Sequence, residues 1–272
     1  MWFSCNRGHI AGYETGADTL VTEDSLQSDT IALFEEEDDK GLSLEEHTLE
    51  VFGDFFFAFT HNNRFQAERI KFPLPVTDMD GTERTIRSGK QFRSEFQMPE
   101  NDYYTLLLSE AAQASVLQND SLLEDVAVQF VDLTRFSVDS YNFHRKDGHW
   151  YLLSRVVSAP QGTAGDFFRF YERFVSDSLY QQECLARQLR VAMPETDEEE
   201  VDDEIVGTID SDQWPAFRPE MPEGRFVNID FGHSLTDAHR LVLLQCGFSN
   251  SMMDFFTFRR DGDRWTMTAY EH

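Results

Sequence analysis

The feature that most limits what this chain can fold into is a ten-residue pattern written twice. Phe143-His144-Arg145-Lys146-Asp147-Gly148-His149-Trp150-Tyr151-Leu152 returns near the C-terminus as Phe258-Arg259-Arg260-Asp261-Gly262-Asp263-Arg264-Trp265-Thr266-Met267. Phe143 and Phe258 are 115 residues apart, and so are Trp150 and Trp265. Asp-Gly between β-favouring runs is the strongest local hairpin signal, so each copy reads as two strands joined by a tight turn. A recurrence of this period in a chain of 272 residues predicts a duplicated domain, each copy long enough to bury its own core.

Other segments repeat with the same period. Leu49, Phe52, Phe55, Phe56 and Phe59 fall at three and four spacing after a Ser43-x-x-Glu46 capping box, which predicts an amphipathic helix with a ring-lined face. Phe167, Phe170, Tyr171 and Phe174 give the second copy of that helix, capped by Thr163 or Asp166. Phe65-Gln66 and Tyr180-Gln181 mark a short second helix in each copy. Ile70 to Pro75 reads as an edge-type extended segment, because its prolines cannot donate to a ladder. Strands are then expected at 82–87, 103–108, 126–132, 137–145 and 149–157. In the second copy they are expected at 225–231, 240–247, 252–260 and 264–270, after an acidic loop at Glu198 to Glu204. Helices followed by an antiparallel sheet, in both copies, predict an α+β chain with a long helix in the hollow of a curved sheet. The domain limits are 1–41 for a disordered acidic tether, 42–157 for the first domain and 158–272 for the second. The tether follows from a run that mixes Gly, Ser, Thr and acids with no period, too poor in apolar surface to offset the entropy of ordering.

Fifty acidic residues against 23 basic ones oppose binding to nucleic acid and to anionic membrane surfaces. What remains is a small molecule, a protein partner, or an acidic surface that only keeps the chain soluble. Three cysteines form no zinc spacing, and the eight histidines show no ligating pair, so no metal or cofactor is expected. Asp78-Met79-Asp80-Gly81 lacks the remaining ligands of a calcium loop and reads as a turn. Cys184 and Cys246 read as buried free thiols, with a disulfide between them as the alternative. Cys5, after Trp2-Phe3-Ser4, could end a lipoprotein signal whose charged and apolar parts lie upstream; lipidation there would be the one membrane attachment. The location expected is then the cell envelope, periplasmic or anchored to the outer membrane. The alternative is cytoplasmic, if Met1 is the true start.

Taken together, Phe65-Gln66, Arg69-Ile70-Lys71-Phe72-Pro73-Leu74, Tyr103 to Leu107, Phe143 to Trp150, Asp166-Phe167-Phe168, Phe174 to Leu179, Gln213-Trp214-Pro215-Ala216-Phe217-Arg218-Pro219 and Phe258-Arg259-Arg260 closely resemble the domain-of-unknown-function family 4348. The resemblance runs from about Leu42 to the C-terminus. It implies two tandem cystatin-like, nuclear-transport-factor-2-like cones in an envelope or secreted protein of Bacteroidales. It carries over no catalytic residue, because the family has no established activity.

Cones of this kind often enclose a pocket. Phe56, Phe59, Trp150, Phe170, Phe174 and Trp265 are therefore the candidate pocket or core aromatics, with core favoured for the two Trp. Arg145 and Arg260 are candidate contacts for an anionic ligand, weighed against a solvated face. Three functions stay open. The first is a non-enzymatic envelope protein that binds a small ligand or a protein. The second is an isomerase or dehydratase-type enzyme using a carboxylate inside one cone, and the third a structural spacer. A desolvated carboxylate paired with a Tyr in an open pocket would favour the enzyme; cones filled by Phe and Trp would exclude it.

Overall fold

Four phenyl rings on one helical face need a wide apolar surface to lie on, and a curved sheet supplies it. The computed structural model describes residues 49–118, 123–194, 204–232, 235, 239–248 and 251–272, and these lie in one compact unit. The tether at 1–41, Cys5, the Ser43/Glu46 capping box and residues 198–203 of the acidic loop lie outside the described residues.

The chain runs α1 (Phe52–His61), α2 (Asn63–Glu68), β1 (Leu74–Thr77), β2 (Glu83–Ile86), α3 (Gly89–Glu95), β3 (Tyr103–Leu108), a 3-10 turn (Ala111–Gln118), β4 (Asp125–Asp132), β5 (Ser137–Lys146) and β6 (His149–Ser158). It continues through α4 (Gly162–Ser176), α5 (Ser178–Glu183), β7 (Leu185–Pro194), β8 (Glu204–Asp210), α6 (Trp214–Phe217), β9 (Arg225–Asp230), β10 (Arg240–Gly247), β11 (Met253–Asp261) and β12 (Arg264–Glu271). The fold is α+β, with one mixed sheet of order β2-β1-β6-β5-β4-β9-β3-β10-β11-β12-β7-β8. If β1 to β6 are matched in turn with β7 to β12, this order reads the same from either end. Most neighbours run antiparallel, but β1–β6, β3–β9 and β7–β12 are parallel.

The limit at 157/158 falls at the last residue of β6, shortly before α4, yet the segments on its two sides share the sheet. Strand β3 pairs with β10 and β9, and β9 pairs with β4. Consequently the central strands are buried on both faces. Tyr104, Leu106 and Leu108 join the core beneath α1, whereas Tyr103 and Leu107 join the core beneath α4. On β10, Val242, Leu244 and Cys246 go to the first core, Leu241 and Leu243 to the second. Side chains alternate across a strand, so α1 and α4 cover opposite faces. Two-sided burial also explains why these strands are written as unbroken apolar runs.

Each core is centred on the Phe of the duplicated pattern. The Phe143 ring lies 5.7, 5.5, 6.1 and 5.3 Å from those of Phe52, Phe55, Phe56 and Phe59. Phe258 stands 5.0, 5.9, 6.1 and 5.4 Å from Phe167, Phe170, Tyr171 and Phe174. The corner between the two helices repeats as well. Asn62 and Asp177 cap α2 and α5 with their side chains, and the buried Gln66 and Gln181 donate back to the carbonyls of Phe59 and Phe174 at 3.1 and 3.0 Å. Asn62→Ala is expected to cost about 1 kcal/mol, the usual value of an N-cap, measurable by urea unfolding.

Several expectations need correction. Leu49 is exposed and precedes α1, which starts at Phe52 with no side-chain cap. Helix α4 starts at Gly162 with Gln161 before it, and neither Thr163 nor Asp166 caps it; Asp166 instead pairs with Arg260 at 3.1 Å. Strand β1 is not the edge, since β6 pairs with Val76 and Thr77, beyond the prolines. Strands β7 and β8 were not expected at all. Their Leu189, Val191 and Ala192 are buried, but the interleaved Arg187, Gln188 and Arg190 mask the apolar alternation. The second hairpin turns on Gly262-Asp263, with Gly262 at φ 58° in the first central position, while the first turns on Asp147-Gly148, both at positive φ. The same dipeptide thus builds two different primed turns.

Candidate functional site

The aromatics singled out from the sequence fill the interior. Trp150 and Trp265 are both the second residue of their strands, β6 and β12, and both are buried. Trp150 meets the edge of Phe52 at 5.0 Å and donates its indole N–H to the Glu50 carbonyl at 3.0 Å. Trp265 packs on Phe167 at 5.5 Å, and its N–H has no partner among the described residues. Phe56, Phe59, Phe170 and Phe174 are core, and none of these six aromatics lines either cavity described below.

The two arginines are structural in their contacts. Arg145 is buried rather than solvated; its guanidinium lies 4.5 Å over the Trp150 ring and donates to the Glu50 carbonyl at 3.2 Å. The Glu50 carboxylate receives both Arg69 nitrogens, at 2.9 and 3.1 Å. Arg260 pairs with Asp166 and Asp263. Cys184 and Cys246 are both buried and form no disulfide with each other. Among the described residues no group of three His, Cys, Asp or Glu side chains is placed to hold a metal ion.

A cavity of about 220 Å³ opens on the face of the sheet covered by α4, at the end away from the Trp265 hairpin. Its wall includes Tyr103 from β3, Gln245 from β10, Asp254 from β11, and Tyr270 and His272 at the end of β12, with Asp102 and Glu220 at its margin. Strand alternation puts Asp254 on the inward face, where Phe256 continues the core. Its side chain is 4% exposed. The Tyr270 hydroxyl donates to Asp254 Oδ1 at 2.8 Å, and His272 Nδ1 lies 2.7 Å from the same oxygen. Burial first, and the bond to Asp254 second, push the Tyr270 hydroxyl well above the ordinary phenol range. Burial likewise pushes Tyr103 up to about 12. Both phenols therefore remain protonated donors at neutral pH. A His272 tautomer with its proton on Nδ1 leaves Nε2 as a free acceptor, half-exposed at the mouth.

Gln245 is the cross-strand partner of Asp254 and of Thr105. It is 2% exposed, and its Oε1 has no partner among the described residues. Beyond Thr105 a polar row, buried at Thr105 and Asn228 and half-buried at Gln129, continues under α4. The Thr105 hydroxyl donates to Asn228 at 3.0 Å, and Asn228 donates to Gln129 at 2.8 Å, beside a smaller cavity of about 90 Å³.

In the other half of the sheet the matching aspartate is held by a guanidinium. Asp139 lies 115 residues before Asp254, and Arg155 stands where Tyr270 falls. Arg155 grips Asp139 with two bonds of 2.8 Å and reaches Glu95 at 2.9 Å, and Arg84 joins Glu95 to Asp78. Asp78, foreseen in a plain turn, is thus also the end of an ion-pair chain. The sequence reading missed Asp254, Tyr270 and His272 altogether. A signal existed: Asp139 and Asp254 keep the 115-residue period at inward strand positions, where an acid is out of place.

No curated protein matches the chain. Among solved structures it is similar to the crystal structure of an NTF2-like protein from Bacteroides fragilis NCTC 9343, with 25% identity, a TM-score of 0.70, and coverage of 84% of this chain and 97% of that one. That likeness agrees with the α+β architecture and the curved sheet described above. The family model for a domain of unknown function, DUF4348, matches residues 34–272, and the chain belongs to that family.

Proposed function

We propose that the protein is a non-enzymatic binding protein of the cell envelope, made of two copies of one unit, whose C-terminal copy receives a small ligand. The observation that carries the ligand reading is the 220 Å³ cavity with Asp254, Tyr270, Gln245 and His272 in its wall. Small-molecule sites combine an apolar surround with a few convergent polar groups, although most are larger than this one, at about 300–1,000 Å³. The reading of two copies is supported by the 115-residue period of Phe, Trp, Gln and Asp positions and by the strand order that reads alike from both ends. In the N-terminal copy the ion pairs of Arg155 take up the corresponding position, so that copy acts as scaffold. The envelope location rests on Cys5. Metabolic labelling with a palmitate analogue, in a protein carrying its native upstream sequence, should be lost in Cys5→Ala.

Binding is tested with a mixed library of neutral, anionic and cationic fragments by ligand-observed NMR. Hits are expected on the wild type and should vanish in Met252→Trp, which fills the cavity wall. Hits that persist in that variant, or an absence of hits, would refute the reading.

The contacts of Asp254 also favour a second reading, proton transfer of the isomerase or dehydratase type. A buried carboxylate that orients an imidazole leaves Nε2 as a base, with a protonated phenol close by. Incorporation of deuterium from D2O into a bound ligand, lost in His272→Ala, would be its signature.

A further inference from the structure

The aspartate that recurs after 115 residues has a permanent cation, Arg155, beside it in one half of the sheet, and in the other only a phenol and the His272 imidazole, both on the same oxygen. Asp139 holds the Arg155 guanidinium by two bonds of 2.8 Å, Nε to Oδ1 and Nη2 to Oδ2. At Asp254 the position of that Arg belongs to Tyr270, whose hydroxyl is neutral and occupies only Oδ1. Among the described residues no Lys or Arg lines the cavity, while Asp102 and Glu220 add two acids to it. Gln245 supplies an acceptor, Oε1, that is buried and unpartnered among the described residues. A buried acceptor left empty is costly, so its pairing with a donor is strongly favoured. The wall therefore offers acceptors and two phenol rings; its one basic group, the His272 imidazole, lies on Asp254 Oδ1 and leaves Oδ2 for another donor.

We propose that this cavity binds a small organic cation with a protonated nitrogen, an alkylammonium or a guanidinium. This inference rests on the reading that the cavity takes a small ligand. Asp254 Oδ2 and Gln245 Oε1 accept from its N–H groups, and Tyr103 and Tyr270 present rings to the charge, as aromatic walls do for organic cations. Arg155 shows, in the other half, the ion that a carboxylate at this strand position takes. An anionic ligand would face Asp254, Asp102 and Glu220 in a partly desolvated space, where like charges repel most strongly. An inorganic divalent ion finds no group of three ligating side chains among the described residues. The volume of about 220 Å³ corresponds to about seven waters at roughly 30 Å³ each, which suits a short chain bearing one charged group.

The test uses the full chain and four probes: butylamine and methylguanidine as cations, 1-butanol as a neutral isostere and butyrate as the anion. Protein-observed NMR follows the Gln245 side-chain amide and the Tyr270 backbone amide. Saturable shifts with both cations are expected, with affinity higher than for 1-butanol or butyrate by about ten-fold or more, and a similar loss in Asp254→Asn. Asp254→Asn could loosen the fold, so Tyr270→Arg serves as the second variant. It should set a guanidinium beside Asp254, abolish binding of both cations and leave the melting temperature at or above that of the wild type. Equal binding of 1-butanol, or preference for butyrate at the same amides, would overturn the cation assignment and leave the cavity as a ligand site. Unchanged cation binding in Tyr270→Arg would overturn it too. Silence of all four probes together with the fragment library would remove both readings.

Discussion

Truncation of Phe143 to Ala is expected to lower the unfolding free energy by about 3–5 kcal/mol, the range for deleting a buried aromatic ring. The ring is 1% exposed and touches four phenyl rings of α1, so little could collapse into the space it leaves. Phe258→Ala should cost a similar amount, because its surroundings match ring for ring. Both losses should also be felt throughout the sheet. The two cores share β3 and β10, whose alternate residues enter one core or the other. A wound in either core therefore loosens strands that the other depends on. Calorimetry of each variant should show one transition, shifted to lower temperature. Two resolved transitions, with only one displaced, would show that the halves unfold independently and would refute the coupling.

Replacing Arg155 by Met should cost about 3 kcal/mol, the lower end of the range for breaking a buried ion pair, since Glu95 keeps some solvent contact. The side chains of Arg155 and Asp139 are 12% and 16% exposed, so the penalty comes chiefly from leaving the Asp139 charge without its partner. The double variant Arg155→Met with Asp139→Leu removes that stranded charge and should regain much of the loss. If it is no more stable than the single variant, the penalty has another origin.

Acid should reveal the same network. Burial alone would raise the Glu95 carboxyl, but the hydrogen bond from Arg84 and the charges of Arg84 and Arg155 outweigh it and hold the group below its ordinary value of 4.5. A carboxyl whose folded value is lowered contributes stability above its unfolded value and loses it as the pH falls through the folded one. The difference between wild type and Arg155→Met should therefore narrow on acidification through and below pH 4.5. Urea titrations at a series of pH values measure this; a constant gap would show that Glu95 takes no part.

Much of the secondary structure was legible in the chain because its signals are local. Rings at three and four spacing placed α1 and α4, and the Asp-Gly steps placed both closing hairpins. Strand β3 was foreseen with its observed limits, since Tyr-Tyr-Thr-Leu-Leu-Leu favours an extended chain whatever lies next to it. Strands β7 and β8 were missed because charged residues on their exposed face diluted the pattern.

The sequence by itself determined the 115-residue period, the ring-centred cores and the α+β order of elements, all of which follow from residue type and spacing. Only the tertiary structure decided that β3 and β9 lie between β4 and β10 and join the segments before and after 157 in one sheet. Strand pairing is non-local, and a two-residue alternation says which face a side chain takes but not which strand will be its neighbour. The site depended on the same step. Asp139 and Asp254 are alike in sequence, and their difference arose from what the fold set beside them: Arg155 for one, and for the other Tyr270, His272 and an open space.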